Sequence, residues 1–261
     1  MRRILCIGGH DFTPRPEDRA ITDLIASLAG DDEPRVCLLP TASGDAAEQA
    51  SRFFTAFANR GCVASEISLF RLGSRPVALR DHLLSQDLIY VGGGSMVNML
   101  AVWEAHDLGS ILRIAWENGI VICGQSAGAM CWFEVGVSTG SGVASAAAGL
   151  GLLPGSCCVH YHSQPQRRRL LLDCVAGGTP AGYGIDDHAA LLWVGTKAAG
   201  AFSARPGAGV YRVEPGPDGV VEAPLPAREV LPCRAEPPIP TDIAEFRRSR
   251  RGRGRRVAAG R

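Results

Sequence analysis

The stretch VICGQSAGAMCWF, residues 121–133, joins a strand pattern to a helix pattern at one tight corner. It begins inside the apolar run GIVIC, which is typical of a buried strand, and AGAMCWF can begin a helix. Between them, Gly124-Gln125-Ser126-Ala127-Gly128 follows the Gly-x-Ser-x-Gly pattern, in which small residues allow a strained turn that exposes a serine hydroxyl. Ser126 is therefore either a nucleophile or a small residue at a structural corner, and the strand-to-helix context favours the nucleophile.

The strand pattern of GIVIC recurs through the first half of the chain, in RILCIG, RVCLLP and DLIYVGGG. Between these runs lie segments with helical spacing of apolar residues, at 17–30, 45–61 and 96–119. Strands that alternate with helices predict an α/β fold with a mostly parallel sheet covered on both faces. After about residue 157 the segments become shorter and more strand-like, which predicts strands and hairpins that finish one edge of the same sheet.

Composition predicts a globular protein, since 46% of the 261 residues are hydrophobic. The apolar run near the N-terminus is shorter than the roughly 7–15 residues of a signal peptide, and no run approaches the roughly 20 residues that span a bilayer. The 9 cysteines are odd in number, form no CxxC pair and mostly lie in apolar runs, which indicates reduced thiols. We therefore expect a cytoplasmic protein with no membrane partner.

The domain prediction is a single α/β domain over residues 1–232, followed by a disordered Pro-containing and Arg-rich tail over 233–261. Residues 247–261 hold 8 arginines and no acidic residue. Such a tail could bind an anionic partner such as nucleic acid, but it has almost nothing to bury and no aromatic residue on which a base could stack. A solvated terminus is the favoured interpretation, so we do not predict a nucleic-acid partner.

A second loop with chemical potential is VGGGSMVN, which follows the strand DLIYV. It lacks the last glycine of GxGxxG, and the chain contains no GKS or GKT, so neither nucleotide-binding motif is present. A tight strand-to-helix turn is the structural alternative. Because glycines leave the backbone bare, the loop also predicts amides that point into a cleft and could stabilise an oxyanion.

A nucleophilic serine needs a base, and the base needs an orienting acid. An ordinary α/β-hydrolase runs in the order Ser, acid, His, but the only acid between Ser126 and the histidines of VHYH is Glu134, one helical turn past the elbow. The order Ser126, His160, Asp187 fits the sequence better. His162 and His188 remain competing candidates for the base at this point.

Four motifs in order, IYVGGGSMVNML, GQSAGAMCWFEVG, GLGLLPGSCCVHY and GIDDHAALL, resemble those of the peptidase E (aspartyl dipeptidase) and cyanophycinase family of serine peptidases. The resemblance covers roughly residues 3–213. It implies a flavodoxin-like three-layer α/β/α sandwich, similar to the class I glutamine amidotransferases, with serine in place of their cysteine nucleophile.

The resemblance also implies roles for individual residues: a catalytic triad of Ser126, His160 and Asp187, and an oxyanion hole made by the amides of Gly94 and Ala127. Arg167, with Arg168 as second choice, would bind an acidic side chain or a peptide carboxylate, and a solvated helix is the alternative for both. The chain departs from the family pattern at Ser95 and over residues 161–166, where three carboxylates usual in the family are absent. Ser95 replaces an asparagine, and His162 stands where an acidic residue is usual, so both are predicted to contact substrate.

The predicted function is hydrolysis of short peptides, including dipeptides with an N-terminal aspartate, through an acyl-enzyme. The expected partner is therefore a small peptide, and a homodimer is compatible with the sequence. We expect no cofactor and no metal. His160 and His162 could share a strand face and ligate zinc, but neither HExxH nor a Cys cluster accompanies them. Two alternatives stay open: an amidase or tailoring hydrolase of a specialised metabolite, and a non-catalytic binding protein.

Overall fold

The structure is a computed structural model that describes residues 1–30, 33–138 and 145–233. The strands of this described part are β1 (Arg3–Ile7), β2 (Arg35–Leu39), β3 (Val63–Glu66), β4 (Leu88–Val91), β5 (Val121–Gln125), β6 (Phe133–Ser138), β7 (Ser145–Ala148), β8 (Leu153–Val159), β9 (Gly182–Ile185), β10 (Ala189–Val194), β11 (Lys197–Ser203), β12 (Val210–Gly216), β13 (Gly219–Pro224) and β14 (Ala227–Glu229). Its helices are α1 (Pro16–Ala29), α2 (Ala47–Ala58), α3 (Leu79–Leu84), α4 (Met96–Ala105), α5 (Leu108–Glu117), α6 (Ala127–Met130) and α7 (Pro165–Ala176).

The larger sheet has the strand order β14-β11-β10-β1-β5-β4-β2-β3, and its five strands from β1 to β3 are parallel. Every residue of β4 and β5 is buried, as expected of parallel strands covered on both faces. In β1, Ile4 and Cys6 join the core beneath α4 and α5, whereas Leu5 and Ile7 join the core beneath α1 and α2. This alternation produces three layers and confirms the predicted α/β/α class.

The prediction that all later strands extend one edge of the first sheet is wrong, because most of them form a second sheet. Its order is β13-β12-β9-β8-β6-β7, and α7 packs on it through a separate apolar cluster that includes Tyr161 and Leu171. Only β10, β11 and β14 extend the first sheet. Short strand patterns indicate where strands lie along the chain, but they do not indicate which distant strand each will pair with.

The helical segment predicted over residues 96–119 is divided into two helices, α4 and α5. Asp107 lies between them with φ of 49°, a left-handed conformation that interrupts the helix. Of the helices within the described residues, none has the length and apolar character needed to cross a membrane.

The end of the described chain contacts α1. Arg19 donates a hydrogen bond to the carbonyl of Cys233 at 3.2 Å, and the amide of Cys233 donates to Asp23 at 2.7 Å. Apart from Cys233, the predicted tail over 233–261 lies outside the described residues, so the domain boundary and the disorder of the tail stay predictions.

The two sheets bring the ends of four parallel strands together. The segments after β1 and β5 of the larger sheet meet the segments after β8 and β9 of the smaller one. The amide of Ser126 bonds to the carbonyl of Ile7 at 3.0 Å, and Gly9 forms a parallel bridge with Asp187. Since active sites of open α/β sheets collect at the carboxyl ends of strands, this junction is where a site is expected.

Candidate active site

Ser126 occupies a strained turn between β5 and α6, with φ of 51° and ψ of −114°. Non-glycine residues rarely adopt positive φ, and such strain concentrates at functional sites. The flanking glycines are required by close approaches: a Cβ on Gly124 would collide with the backbone of Gly128, and a Cβ on Gly128 would lie 2.7 Å from Cγ1 of Val91. The strand, turn and helix therefore have the geometry that the Gly-x-Ser-x-Gly pattern predicts.

Three side chains form a continuous hydrogen-bonded series across the junction. The Ser126 Oγ lies 2.9 Å from His160 Nε2, and His160 Nδ1 lies 2.5 Å from Asp187 Oδ1. Ser163 donates a further hydrogen bond, at 2.5 Å, to the other oxygen of Asp187. Each member follows a strand end, since Ser126 follows β5, His160 follows β8 and Asp187 lies two residues beyond β9.

The electrostatics of the three side chains favour His160 as the base. The hydrogen bond from His160 to Asp187, with a smaller contribution from that of Ser163, lowers the pKa of the Asp187 carboxyl from 3.8 to about 2. Asp187 is therefore ionised at neutral pH and accepts the Nδ1 proton of His160. In the neutral imidazole with its proton on Nδ1, Nε2 carries the lone pair and can accept the hydroxyl proton of Ser126.

Backbone amides border Ser126 on two sides. Ala127 begins α6, so its amide is one of the helix amides that lack an intrahelical acceptor. Gly94 has φ of 145°, and a Cβ there would collide with the backbone of Ala42. Among the backbone hydrogen bonds of the described residues, none uses the amide of Gly93 or Gly94. Both glycines line the same cleft as Ser126, so the role of the Gly94 amide in an oxyanion hole stays a prediction.

The cleft has a volume of about 450 Å³, which lies within the roughly 300–1,000 Å³ typical of small-ligand sites. Its lining combines the hydrogen-bonded series with groups from the segments after β1, β4, β9 and β11 and from α1 and α2: Gly9, His10, Asp11, Arg15, Asp18, Gln49, Gly93, Gly94, Gln125, Ser126, His160, Asp187, His188 and Arg205.

Three residues predicted to contact substrate are not part of this lining. Ser95 caps α4 by accepting a hydrogen bond from the Asn98 amide at 3.3 Å. His162 is exposed, and its Nδ1 donates to Asp186 at 2.9 Å. Arg167 is buried on α7, and desolvation lowers its pKa. Their roles in substrate binding stay predictions.

Arg168, the second choice for a carboxylate site, is paired within the protein. Its guanidinium makes two hydrogen bonds to Glu222, at 3.0 and 2.6 Å. Its charge is therefore already neutralised by a side chain of β13.

The cleft wall that follows β1 was not predicted from the sequence. His10 and Asp11 come directly after Gly8-Gly9, and β1 pairs with β5, so their place at the same sheet edge was a usable signal. Asp18 organises this wall, since its carboxylate accepts hydrogen bonds from the amide of Asp11 at 3.0 Å and from the Thr13 hydroxyl. Burial lowers the pKa of His10 to about 3, so this histidine is neutral.

His188 lies beside the predicted acid but turns away from it. Its φ is 60°, and its Nδ1 lies 3.5 Å from Asp18 rather than against Asp187 or His160. The ring still lines the cleft. His188 is therefore placed to border a bound molecule without joining the hydrogen-bonded series.

Cys123 and Cys131, which flank the elbow, do not offer a competing thiolate. Both are buried free thiols, and desolvation raises the pKa of each above its ordinary value. In the part of the chain that the structure describes, no group of three or more His, Cys, Asp or Glu residues is arranged to hold a metal ion.

Gly9 provides a test of how closely the strand ends must pack. A Cβ on Gly9 would lie 2.7 Å from Cε1 of His160 and closer still to Asp187 Oδ1, so Gly9→Ala must displace the pair. We expect kcat/KM to fall about 10²-fold or more, as a misplacement of about 1 Å can cause. Gly73→Ala is the matched control, because a Cβ at Gly73 meets nothing within 4 Å. Equal activity of the two variants would contradict the packing of Gly9 on the pair.

The lowered pKa of Asp187 predicts a pH-dependent contribution to stability. The carboxyl has a lower pKa folded (about 2) than at its ordinary value (3.8), so its contribution is present above pH 3.8 and is lost as the pH falls toward 2. The two values correspond to about 2 kcal/mol in the free energy of unfolding at pH 6, about half of which is lost by pH 3. Urea unfolding should show this pH dependence in the wild type but not in Asp187→Asn. If the free energies of unfolding of the two proteins differ by the same amount from pH 6 to pH 3, the predicted contribution of Asp187 is wrong.

Comparison with known proteins places the chain in a family. The family model of peptidase family S51 matches residues 4–200. A Bacillus subtilis (strain 168) protein described as uncharacterized peptidase YgaJ is 38% identical over 229 residues, which cover 87% of this chain and 99% of the relative.

Two solved structures have similar folds. A peptidase from an acI-B1 Actinobacterium superposes with a TM-score of 0.68 at 18% identity, covering 88% of this chain and 96% of the other. A putative peptidase E protein from Listeria monocytogenes EGD-e gives a TM-score of 0.59 at 17% identity, covering 78% of this chain and 100% of the other. At these identities the likeness concerns the fold.

Proposed function

Because the chain belongs to peptidase family S51, we propose that it is a serine-type peptidase that hydrolyses short peptides through an acyl-enzyme on Ser126. The observation that carries this proposal is the hydrogen-bonded series from Ser126 through His160 to Asp187. It supplies a nucleophile, a base and an orienting carboxylate in the order that acyl transfer requires.

In the proposed mechanism, the Ser126 oxygen attacks the scissile carbonyl while His160 Nε2 takes its proton. Asp187 stays ionised and stabilises the imidazolium. The amides of Gly94 and Ala127 bind the oxyanion of the tetrahedral intermediate. His160 then donates its proton to the leaving nitrogen, and a water molecule activated by the same imidazole hydrolyses the ester.

The proposed substrates are dipeptides, including those with an N-terminal aspartate. The volume of the cleft supports a small substrate. Asp11 on the cleft wall also supports it: its carboxylate is exposed and lies 3.9 Å from Arg52, and such a group can bind a peptide α-ammonium.

A fluorophosphonate probe followed by a panel of dipeptides with varied first residues tests this proposal. We expect a single adduct on Ser126 and cleavage of the peptide bond. An adduct without peptide cleavage, accompanied by hydrolysis of simple amides, would identify an amidase. A folded protein that takes no label and cleaves nothing would be a binding protein.

We also propose a cytoplasmic location. The described cysteines are all free, and six of them are buried in the core rather than placed to form disulfides. Reduced thiols of this kind are usual where glutathione and thioredoxin act.

A further inference from the structure

Arg205 has a fixed backbone in the turn after β11. The amide of the preceding Ala204 donates to the carbonyl of His188 at 2.9 Å. The carbonyl of Arg205 accepts hydrogen bonds from Ser203 Oγ at 2.8 Å and from the Ala208 amide at 3.1 Å. The turn is held again at its far end, where the Gly209 amide donates to Asp186 at 3.0 Å. The base of the arginine side chain is therefore held in place beside the triad.

The guanidinium of Arg205, by contrast, has no protein partner within residues 1–30, 33–138 and 145–233, although it lines the cleft. Among the carboxylates of this part of the protein, Asp11 lies 3.9 Å from Arg52, and three others are engaged by hydrogen bonds. Asp187 bonds to His160 and Ser163, Asp18 bonds to the Asp11 amide and Thr13, and Asp186 holds His162 and the Gly209 amide. The cationic group of Arg205 is thus available to an anion that enters the cleft.

The position of Arg205 indicates which part of a substrate it would meet. In acyl transfer the base delivers its proton to the leaving nitrogen, so the leaving residue must lie on the His160 side of the serine. Arg205 is on that side, because Ala204 pairs with His188, the neighbour of Asp187. The Gly93-Gly94 loop, which carries the amide assigned to the oxyanion, is a different segment of the lining.

We propose that Arg205 binds the free C-terminal carboxylate of the leaving residue and so restricts the enzyme to substrates that end just beyond the scissile bond. This inference rests on the proposed function. A guanidinium suits the task because it can donate two parallel hydrogen bonds to one carboxylate. The leaving group would then be a free amino acid or a very short peptide.

Four matched dipeptides test the assignment: a first residue of Asp or Asn, each with the C-terminal carboxylate free or amidated. With the wild type, kcat/KM should be about 10 to 100 times higher for the free acids than for the amides, the usual range for a charged hydrogen bond. Arg205→Gln should remove most of this preference by slowing the free acids alone. Arg205→Lys should keep part of it.

Arg15→Gln is the matched control, because Arg15 also lines the cleft and its guanidinium, like that of Arg205, makes no ion pair with a described residue. It should leave the ratio of acid to amide unchanged. Two results would overturn the assignment: a wild type that cleaves acids and amides equally, or an Arg205→Gln variant that keeps the wild-type ratio. Arg205→Gln could instead lower kcat/KM for the two dipeptides that begin with Asp, whether acid or amide, and leave the two that begin with Asn unchanged. That result would show that Arg205 binds a side-chain carboxylate.

Labelling by fluorophosphonate separates this inference from the proposed function. If Ser126 is labelled at the same rate in the wild type and in Arg205→Gln but the acid preference is absent, only the role of Arg205 fails. If Ser126 of the wild type takes no label, the serine-peptidase proposal itself fails, and the role of Arg205 fails with it.

Discussion

Ser126→Ala should lower kcat/KM by about 10⁴ to 10⁶, because removal of a covalent nucleophile eliminates the acyl-enzyme route. The effect should be visible with dipeptides and with an activated ester. Stability should change little, since among the described residues the hydroxyl makes only one side-chain hydrogen bond, to the partly exposed His160. Thermal unfolding of the variant checks this second expectation.

A second substitution at the same position separates activity from folding. Ser126 has φ of 51°, which glycine adopts without strain, so Ser126→Gly should be as inactive as Ser126→Ala but about 1 kcal/mol more stable. If either variant is folded, free of wild-type protein and still active, Ser126 is not the nucleophile and the proposal of a serine peptidase is wrong.

His160→Ala should have the second largest effect, a loss of about 10³-fold or more in the rate of acylation, because no other described side chain bonds to the Ser126 hydroxyl. Since His160 has φ of 54°, which asparagine tolerates better than alanine, His160→Asn is the variant less subject to misfolding. The two variants should have equally low rates of acylation.

The other two candidate histidines serve as controls. His162 bonds to Asp186 outside the cleft, and His188 turns toward Asp18, so His162→Ala and His188→Ala should each cost less than about tenfold in acylation. His162→Ala is also predicted to change substrate preference. If one of these variants proves inactive while His160→Ala remains active, the assigned base is wrong even if Ser126 is the nucleophile.

The parallel strands and the elbow could be predicted from the sequence because each is encoded locally. The apolar runs of β1, β2, β4 and β5 are continuous, and the small residues around Ser126 are specific to one strained turn. Three-layer packing follows from such runs alternating with helices. The turn at Asp107 that divides α4 from α5 was not predictable in this way, since the apolar spacing continues through it.

The rest of the site depends on pairings between distant segments. Nothing in the spacing of β6, β8 and β9 indicates that they form their own sheet, yet this sheet places His160 against Ser126. Arg205 lines the cleft in a turn that is held by hydrogen bonds to distant segments, such as that of the Ala204 amide to the His188 carbonyl. Such long-range hydrogen bonds leave no local pattern, so the triad could be proposed from residue order and family resemblance but the cleft wall could not.

Trapping of the acyl-enzyme is the decisive test of Ser126 as the nucleophile. The wild type would be mixed with an activated ester of an N-protected amino acid, quenched in acid within the first turnover and mapped by mass spectrometry. We predict one acyl group, on Ser126, that accumulates in the wild type and is absent from Ser126→Ala. Turnover of the ester with no acyl group on Ser126, or with the group on another residue, would contradict the claim.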